Sequence, residues 1–175
     1  YKSPEVVGRN VTFRVPAAKA GNAEAVTVPG GMNDWKQDSS NWELKKDETA
    51  GMWSGTFTIA PGKYEYKFAL NKTWDVSFSD PANNRVSGTN SVLIVPGLAD
   101  GKADAMKGIE TALPEKLTLW SEDGTSSEAP VTYSLKTANK DITLNGNSII
   151  IGKSYTGQIV ELTAKAENGQ TSDFV

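Results

Sequence analysis

Three side chains in the first half of the sequence have the chemistry to hold a ligand and no obvious place in an apolar rhythm. Trp35 ends "GGMNDW" (30–35), a turn-rich run directly after a strand-like segment. Lys67 lies in "KYEYKFAL" (63–70) on the side opposite Tyr64, Tyr66, Phe68 and Leu70, so strand alternation turns it away from a core. Trp74 follows the polar turn of "NKTWDVSFSDPANN" (71–84), and Asn83 and Asn84 end the proline-containing turn after it. Exposed indoles beside amides and an amine have one common physical use, which is holding a sugar. The C–H-rich face of a pyranose packs on an indole, while its hydroxyls need donors and acceptors. Burying about 80 Å² per ring at roughly 25 cal/mol/Å² yields about 2 kcal/mol. Two such rings, less the cost of association, suit affinities on the order of millimolar to micromolar. Binding of that strength serves polymers, where several contacts act together.

Each of these residues also has a plainer role open to it. Trp35 fits a plug over the edge of a sheet. Trp74 alternates with Val76 and Phe78 in "TWDVSF" (73–78), a rhythm that also permits burial of the indole. Lys67 fits an ordinary surface charge, and Asn83 and Asn84 fit turn caps. Trp42 shares a face with Leu44 at the start of a strand-like segment and reads as packing. Trp53 and Trp120 read as structural, although Trp120 lies opposite the Leu117 and Leu119 face. The carboxylates Asp34, Asp38, Asp75 and Asp80 supply oxygen ligands for calcium, but none of these runs has the spacing of a calcium-binding helix–loop–helix. "SEDGT" (121–125) reads as a turn.

Composition narrows the chemistry further. The 175 residues contain no histidine and no cysteine. That rules out a Ser-His-Asp triad, a thiolate nucleophile and a His-bearing zinc site. Paired carboxylates would still allow glycoside hydrolysis, but only if two of them face each other across a cleft, and no pair has a motif's specificity. Catalytic residues, metal ligands and cofactors are therefore assigned to none. A net charge of −3 gives little support to a nucleic-acid or anionic-membrane partner. No apolar run approaches the roughly 20 residues that span a bilayer. The chain opens at Tyr1 and closes on "TSDFV", which reads as a piece of a longer protein with covalently linked domains.

The elements that would carry these groups read as short strands between turns. In the first half they are 11–15, 24–28, 52–59, 63–70, 73–78 and 91–95. "TFTIAPGKYEYKF" predicts a hairpin turning at Ala60-Pro61-Gly62, with Trp53, Phe57 and Ile59 on one core face. In the second half the strands are 116–120, 131–137, 142–151 and 159–166, with a two-residue hairpin loop at Asn145-Gly146. Eleven of the 15 aromatics lie in residues 1–97, so the halves differ in character. A Gly-, Ala- and charge-rich run, taken as linker over 99–112, separates them. Helical periodicity is nearly absent. The expected fold is all-β, with two tandem β-sandwich domains, 1–98 and 99–175.

"GGMNDW", Trp53, "PGKYEYKFALNKTW", "DPANN" and "GTNSVLIV", in that order, resemble the glycogen- and starch-binding modules of carbohydrate-binding family 48. These include the glycogen-binding domain of the AMP-activated kinase β-subunit and the related modules of bacterial pullulanases and amylases. The resemblance covers about residues 10–96. It implies an immunoglobulin-like E-set sandwich that binds α-glucan. It further implies that Trp35 and Trp74 stack on sugar, that Lys67 bonds sugar hydroxyls, and that Thr89 and Asn90 add polar contacts near the last strand. Trp42 has no counterpart in the family pattern. The second half resembles bacterial immunoglobulin-like modules found beside such domains in large secreted amylolytic enzymes. The resulting expectation is a non-catalytic, extracellular α-glucan-binding region attached to a glycoside hydrolase. The competing expectation is a pair of structural spacer domains without significant glycan binding.

Overall fold

The computed structural model describes residues 1–100, 102–120, 125–157 and 159–175, so the "SEDGT" turn lies largely outside the described residues. The chain divides into two compact units, one built from Tyr1–Ile59 and Lys63–Val95, the other from the residues from Pro96 onward together with Ala60–Gly62. Both are all-β.

The first unit contains β1 (Glu5–Val7), β2 (Asn10–Pro16), β3 (Val26–Thr27), β4 (Lys45–Asp47), β5 (Met52–Thr58), β6 (Gly62–Tyr66), β7 (Phe68–Leu70), β8 (Ser77–Phe78), β9 (Val86–Ser87) and β10 (Asn90–Val95). They form antiparallel sheets in the orders β1-β2-β5-β4, β3-β7-β8 and β6-β10-β9. Alternation explains the packing. Val11, Phe13 and Val15 of β2 and Trp53 of β5 are buried from one side; Tyr66, Phe68, Leu70, Leu93 and Val95 meet them from the other. Phe13 sits at the centre, its ring 5.0 Å from Tyr66 and 6.3 Å from Phe68, both edge-on, the arrangement that aromatic quadrupoles favour. Two layers with one shared apolar interior make a β-sandwich.

Three local expectations are corrected. The segment around Ala60-Pro61-Gly62 is no hairpin. β5 pairs with β2 and β4, whereas β6 pairs with β10. Alternating patterns on either side of a short turn describe a hairpin and a crossing between facing sheets equally well, because both bury the same face. The segment 63–70 is likewise two strands: β6 ends at Tyr66, β7 begins at Phe68, and Lys67 lies between them. Of "TWDVSF" only Ser77 and Phe78 pair as strand; residues 73–76 form a bend that leaves Trp74 and Val76 exposed.

The second unit contains α2 (Lys102–Met106), which follows a short α1 (Ala17–Ala20) of the first unit, then β11 (Thr111–Ala112), β12 (Lys116–Trp120), β13 (Ser126–Leu135), β14 (Ile142–Asn145), β15 (Ser148–Ile151), β16 (Leu162–Ala166) and β17 (Thr171–Phe174). Its sheets run β11-β15-β14 and β12-β13-β16-β17. The run expected as a linker is not free-standing, since Met106 within it packs into a core with Ile149, Ile151, Leu162 and Phe174, and Thr111 and Ala112 pair with β15. The β14–β15 hairpin forms one residue later than expected. Asn145 pairs with Ser148, so the loop is Gly146-Asn147, with Gly146 at φ 61° taking the first loop position where glycine is favoured. Trp120 is half-buried at the end of β12.

Candidate functional site

The loop between β3 and β4 is shaped by its own first residues. Gly30 approaches the end of β6 so closely that a Cβ there would lie 2.7 Å from Glu65 O and 2.8 Å from Tyr66 Cβ. Asn33 then clamps the turn: its Oδ1 accepts the Gly30 N–H at 2.9 Å, and its Nδ2 donates to Val28 O at 2.8 Å. A single 3-10 turn, Gly31–Asn33, leads into Asp34 and Trp35, which both adopt left-handed backbone with φ of 56° and 58°. A bulky residue at positive φ is a real outlier. It persists where surrounding contacts over-determine it; here Trp35 N–H donates to Gly30 O at 2.9 Å.

Register puts Lys67 on the same side of the sheet as this loop. Thr27 pairs with Ala69 and Gly30 bridges to Tyr66, and between them the Lys67 N–H donates to Pro29 O at 2.9 Å. Lys67, Ala69 and Thr27 therefore share the face opposite Tyr66 and Phe68. That face is covered, since Thr27 is fully buried and its hydroxyl donates to Gln37 O at 2.6 Å. The cover is the Trp35 loop.

Trp74 arrives from the other end of β7. Asn71 and Lys72 occupy the two central positions of a tight turn at φ 55° and 58°, closed by Thr73 N–H to Leu70 O at 3.3 Å. Asn71 Oδ1 accepts the Glu24 N–H at 2.8 Å. Lys72 Nζ donates to Ser40 Oγ at 2.9 Å and pairs with Glu43 at 2.9 Å. The outcome is a pair of indoles. The Trp35 and Trp74 ring centroids lie 6.4 Å apart with their planes tilted by 42°, Trp35 half-buried and Trp74 45 % exposed. Trp42, by contrast, stacks on Phe57 at 4.8 Å and packs against the core.

The other candidates separate. Thr89 is exposed at the tip of the β9–β10 hairpin, beside Gly88. Asn90 is half-buried, its amide 3.4 Å from Glu65 Oε1, and Glu65 shares the outward alternation of Lys67. Asn84 is exposed. Asn83, an expected sugar contact, faces inward instead. Its amide nitrogen donates to Tyr66 Oη at 3.0 Å and Val92 O at 2.8 Å, and its oxygen accepts the Arg85 N–H at 2.9 Å. The reason is a buried polar network below it. Asp80, 3 % exposed, accepts from Ser3 Oγ at 2.6 Å, Tyr66 Oη at 2.7 Å and the Ala82 N–H at 3.0 Å. This occupies the carboxylate that the calcium alternative needed. Among the described residues no group of three or more His, Cys, Asp or Glu could hold a metal ion.

Burial raises the Asp80 carboxyl above the ordinary carboxylate range, against the lowering effect of its hydrogen-bond donors. Burial, with the Asp80 charge added, pushes the Tyr66 phenol well up. An acid whose folded value is raised holds its proton more tightly in the fold than in the unfolded chain. Its stabilising contribution is full below the unfolded value and is lost as pH climbs through the folded one. Thermal unfolding should therefore show stability falling across that window, and Asp80→Asn should flatten the slope. Tyr66→Phe, which leaves the Asp80 and Asn83 side chains each one partner short, should cost on the order of 1 kcal/mol in urea unfolding.

The fold and this surface together define a small β-sandwich module carrying a tilted tryptophan pair on the outer face of one sheet. Residues 8–103 match the family described as the pullulanase X25 domain. That match covers more than half of the 175 residues, and the chain belongs to this family. A curated relative, the amylopullulanase of Thermoanaerobacterium thermosulfurigenes, is 34% identical over 71 residues, which is 41% of this chain and 4% of that protein. The chain thus spans a small part of that relative's length. Among solved structures, a maltogenic amylase from S. marinus aligns over 97% of this chain and 28% of its own, with 14% identity and a TM-score of 0.38.

The residues that sequence reasoning passed over are those that shape the two turns beside the rings: Gly30, Asn33, Asn71 and Lys72. "GGMN" and "NK" were visible as turn chemistry; Asn33 bonds locally, to Gly30 and Val28, but the partners of Gly30, Asn71 and Lys72 lie too far along the chain to be read from spacing.

Proposed function

We propose that the first unit is a non-catalytic accessory module that binds α-glucan through the Trp35–Trp74 pair, as part of a larger amylolytic enzyme acting outside the cell. The observation that carries this reading is the ring pair itself. Two indoles lie 6.4 Å apart, one of them held in a left-handed conformation and the other left exposed. A tilted platform follows a curved sugar chain better than a flat one. Lys67 and Asn90 stand on the same outward alternation and supply the polar contacts, with Thr89 and Asn84 at the margin. The membership in the pullulanase X25 family and the amylopullulanase likeness support starch, glycogen or pullulan as the polymer and a glycoside hydrolase as the linked protein. The second unit, an immunoglobulin-like sandwich in this reading, acts as a spacer.

Isothermal titration with maltoheptaose or β-cyclodextrin tests the proposal. Wild-type protein should bind in the micromolar to millimolar range expected for two stacked rings, roughly −4 to −8 kcal/mol, and Trp35→Ala should lose most of that affinity. Wild-type protein that binds no α-glucan would favour the spacer role for both units.

A further inference from the structure

Lys72 occupies a backbone position that lysine does not favour. At φ 58°, in the second central position of a tight turn after Asn71, glycine would sit without strain. A non-glycine residue stays in such a conformation where its surroundings hold it there. Here the holding contacts are those of the side chain: Nζ to Ser40 Oγ and to Glu43 Oε2, both at 2.9 Å. The pair is half-buried, with Lys72 34% and Glu43 32% exposed, so solvent screens it less than a fully exposed one.

What the contact joins gives it a purpose. Ser40 and Glu43 lie at the far end of the loop that carries Trp35, and Lys72 lies two residues before Trp74. The near end of that loop is fixed separately, by Asn33 to Val28 and by Thr27 to Gln37. Trp74 itself sits in an exposed bend with little packing to determine its place. We infer that Lys72 is a positioning residue: it ties the Trp74 bend to the Trp35 loop and so sets the distance and tilt of the two rings. This inference rests on the glucan-binding reading for its consequence, though not for its geometry.

Two indoles at this separation couple electronically and give a paired band of opposite signs in far-ultraviolet circular dichroism. That signal reports the ring pair without any sugar. In Lys72→Gly the turn becomes more comfortable while the tether is removed. We expect this variant to unfold at a temperature no lower than wild type, yet to lose most of the couplet and to bind maltoheptaose about tenfold more weakly. Lys72→Met should do the same with the side-chain bulk retained, and Lys72→Arg, which keeps the pairing with Glu43, should restore both couplet and affinity. A couplet that survives intact in Lys72→Gly and Lys72→Met overturns the inference. A lost couplet with unchanged affinity supports Lys72 as the residue that sets the rings and overturns instead the reading that glucan is held by the ring pair. If wild-type protein binds no maltoheptaose, the glucan reading falls, and the couplet alone decides whether Lys72 sets the rings.

Discussion

Gly30→Ala should lower the stability of the first unit by ~1–3 kcal/mol and weaken any binding that depends on Trp35. The cost is steric rather than conformational. Gly30 has an extended backbone, φ −173°, which alanine adopts freely. The added methyl would lie 2.6 Å from Met32 Sδ, 2.7 Å from Glu65 O and 2.8 Å from Tyr66 Cβ. Met32 can swing aside. The other two cannot, because they belong to the backbone and to a fully buried side chain of the sandwich. The chain at Gly30 must lift, and with it the Asn33 clamp and the loop that carries Trp35. Urea unfolding and glucan titration on one preparation check this. A variant as stable and as tight-binding as wild type would show that the close approach is not needed.

Removing the rings should have the largest effect on binding. Each indole offers a sugar about 80 Å² of apolar contact, or ~2 kcal/mol, so Trp35→Ala and Trp74→Ala should each weaken maltoheptaose binding by roughly 30-fold. The effects should not simply add. The two rings contact one another, and neighbours with shared contacts usually couple, so the double variant should lose less than the product of the two. Stability should separate the pair. Trp74, exposed in a bend, should be lost with little change in unfolding midpoint, whereas half-buried Trp35 covers part of the sheet face and should cost more. Trp42→Ala gives the contrast, because its ring stacks on Phe57: it should lower the unfolding midpoint while leaving residual glucan affinity per folded molecule unchanged.

Much of this was legible in the sequence wherever a period-2 pattern decides burial. Val11, Phe13 and Val15 face inward as the alternation requires, and Lys67 faces outward for the same reason. What alternation does not encode is the partner. The strands flanking Ala60-Pro61-Gly62 bury the faces expected of them, yet they belong to different sheets. Side chains engaged far along the chain were likewise illegible. Asn83 reads as a turn residue open to solvent until Tyr66 and Val92 are seen to claim its amide. Lys72 carries no signal in the sequence, because Ser40 and Glu43, which it meets, lie far from it along the chain. Trp35 and Trp74 stood out as indoles in polar surroundings, but their meeting depends on two turns of left-handed backbone whose geometry no residue pattern specifies.

The indole N–H resonances test the central claim most directly. The chain has five tryptophans, and each indole gives its own cross-peak in a nitrogen–proton correlation spectrum, assignable by single substitution. On titration with maltoheptaose, the Trp35 and Trp74 peaks should move together along one binding curve, while those of Trp53 in the core and Trp120 in the second unit stay in place. A spectrum in which no indole moves, or in which only Trp120 moves, would contradict the account.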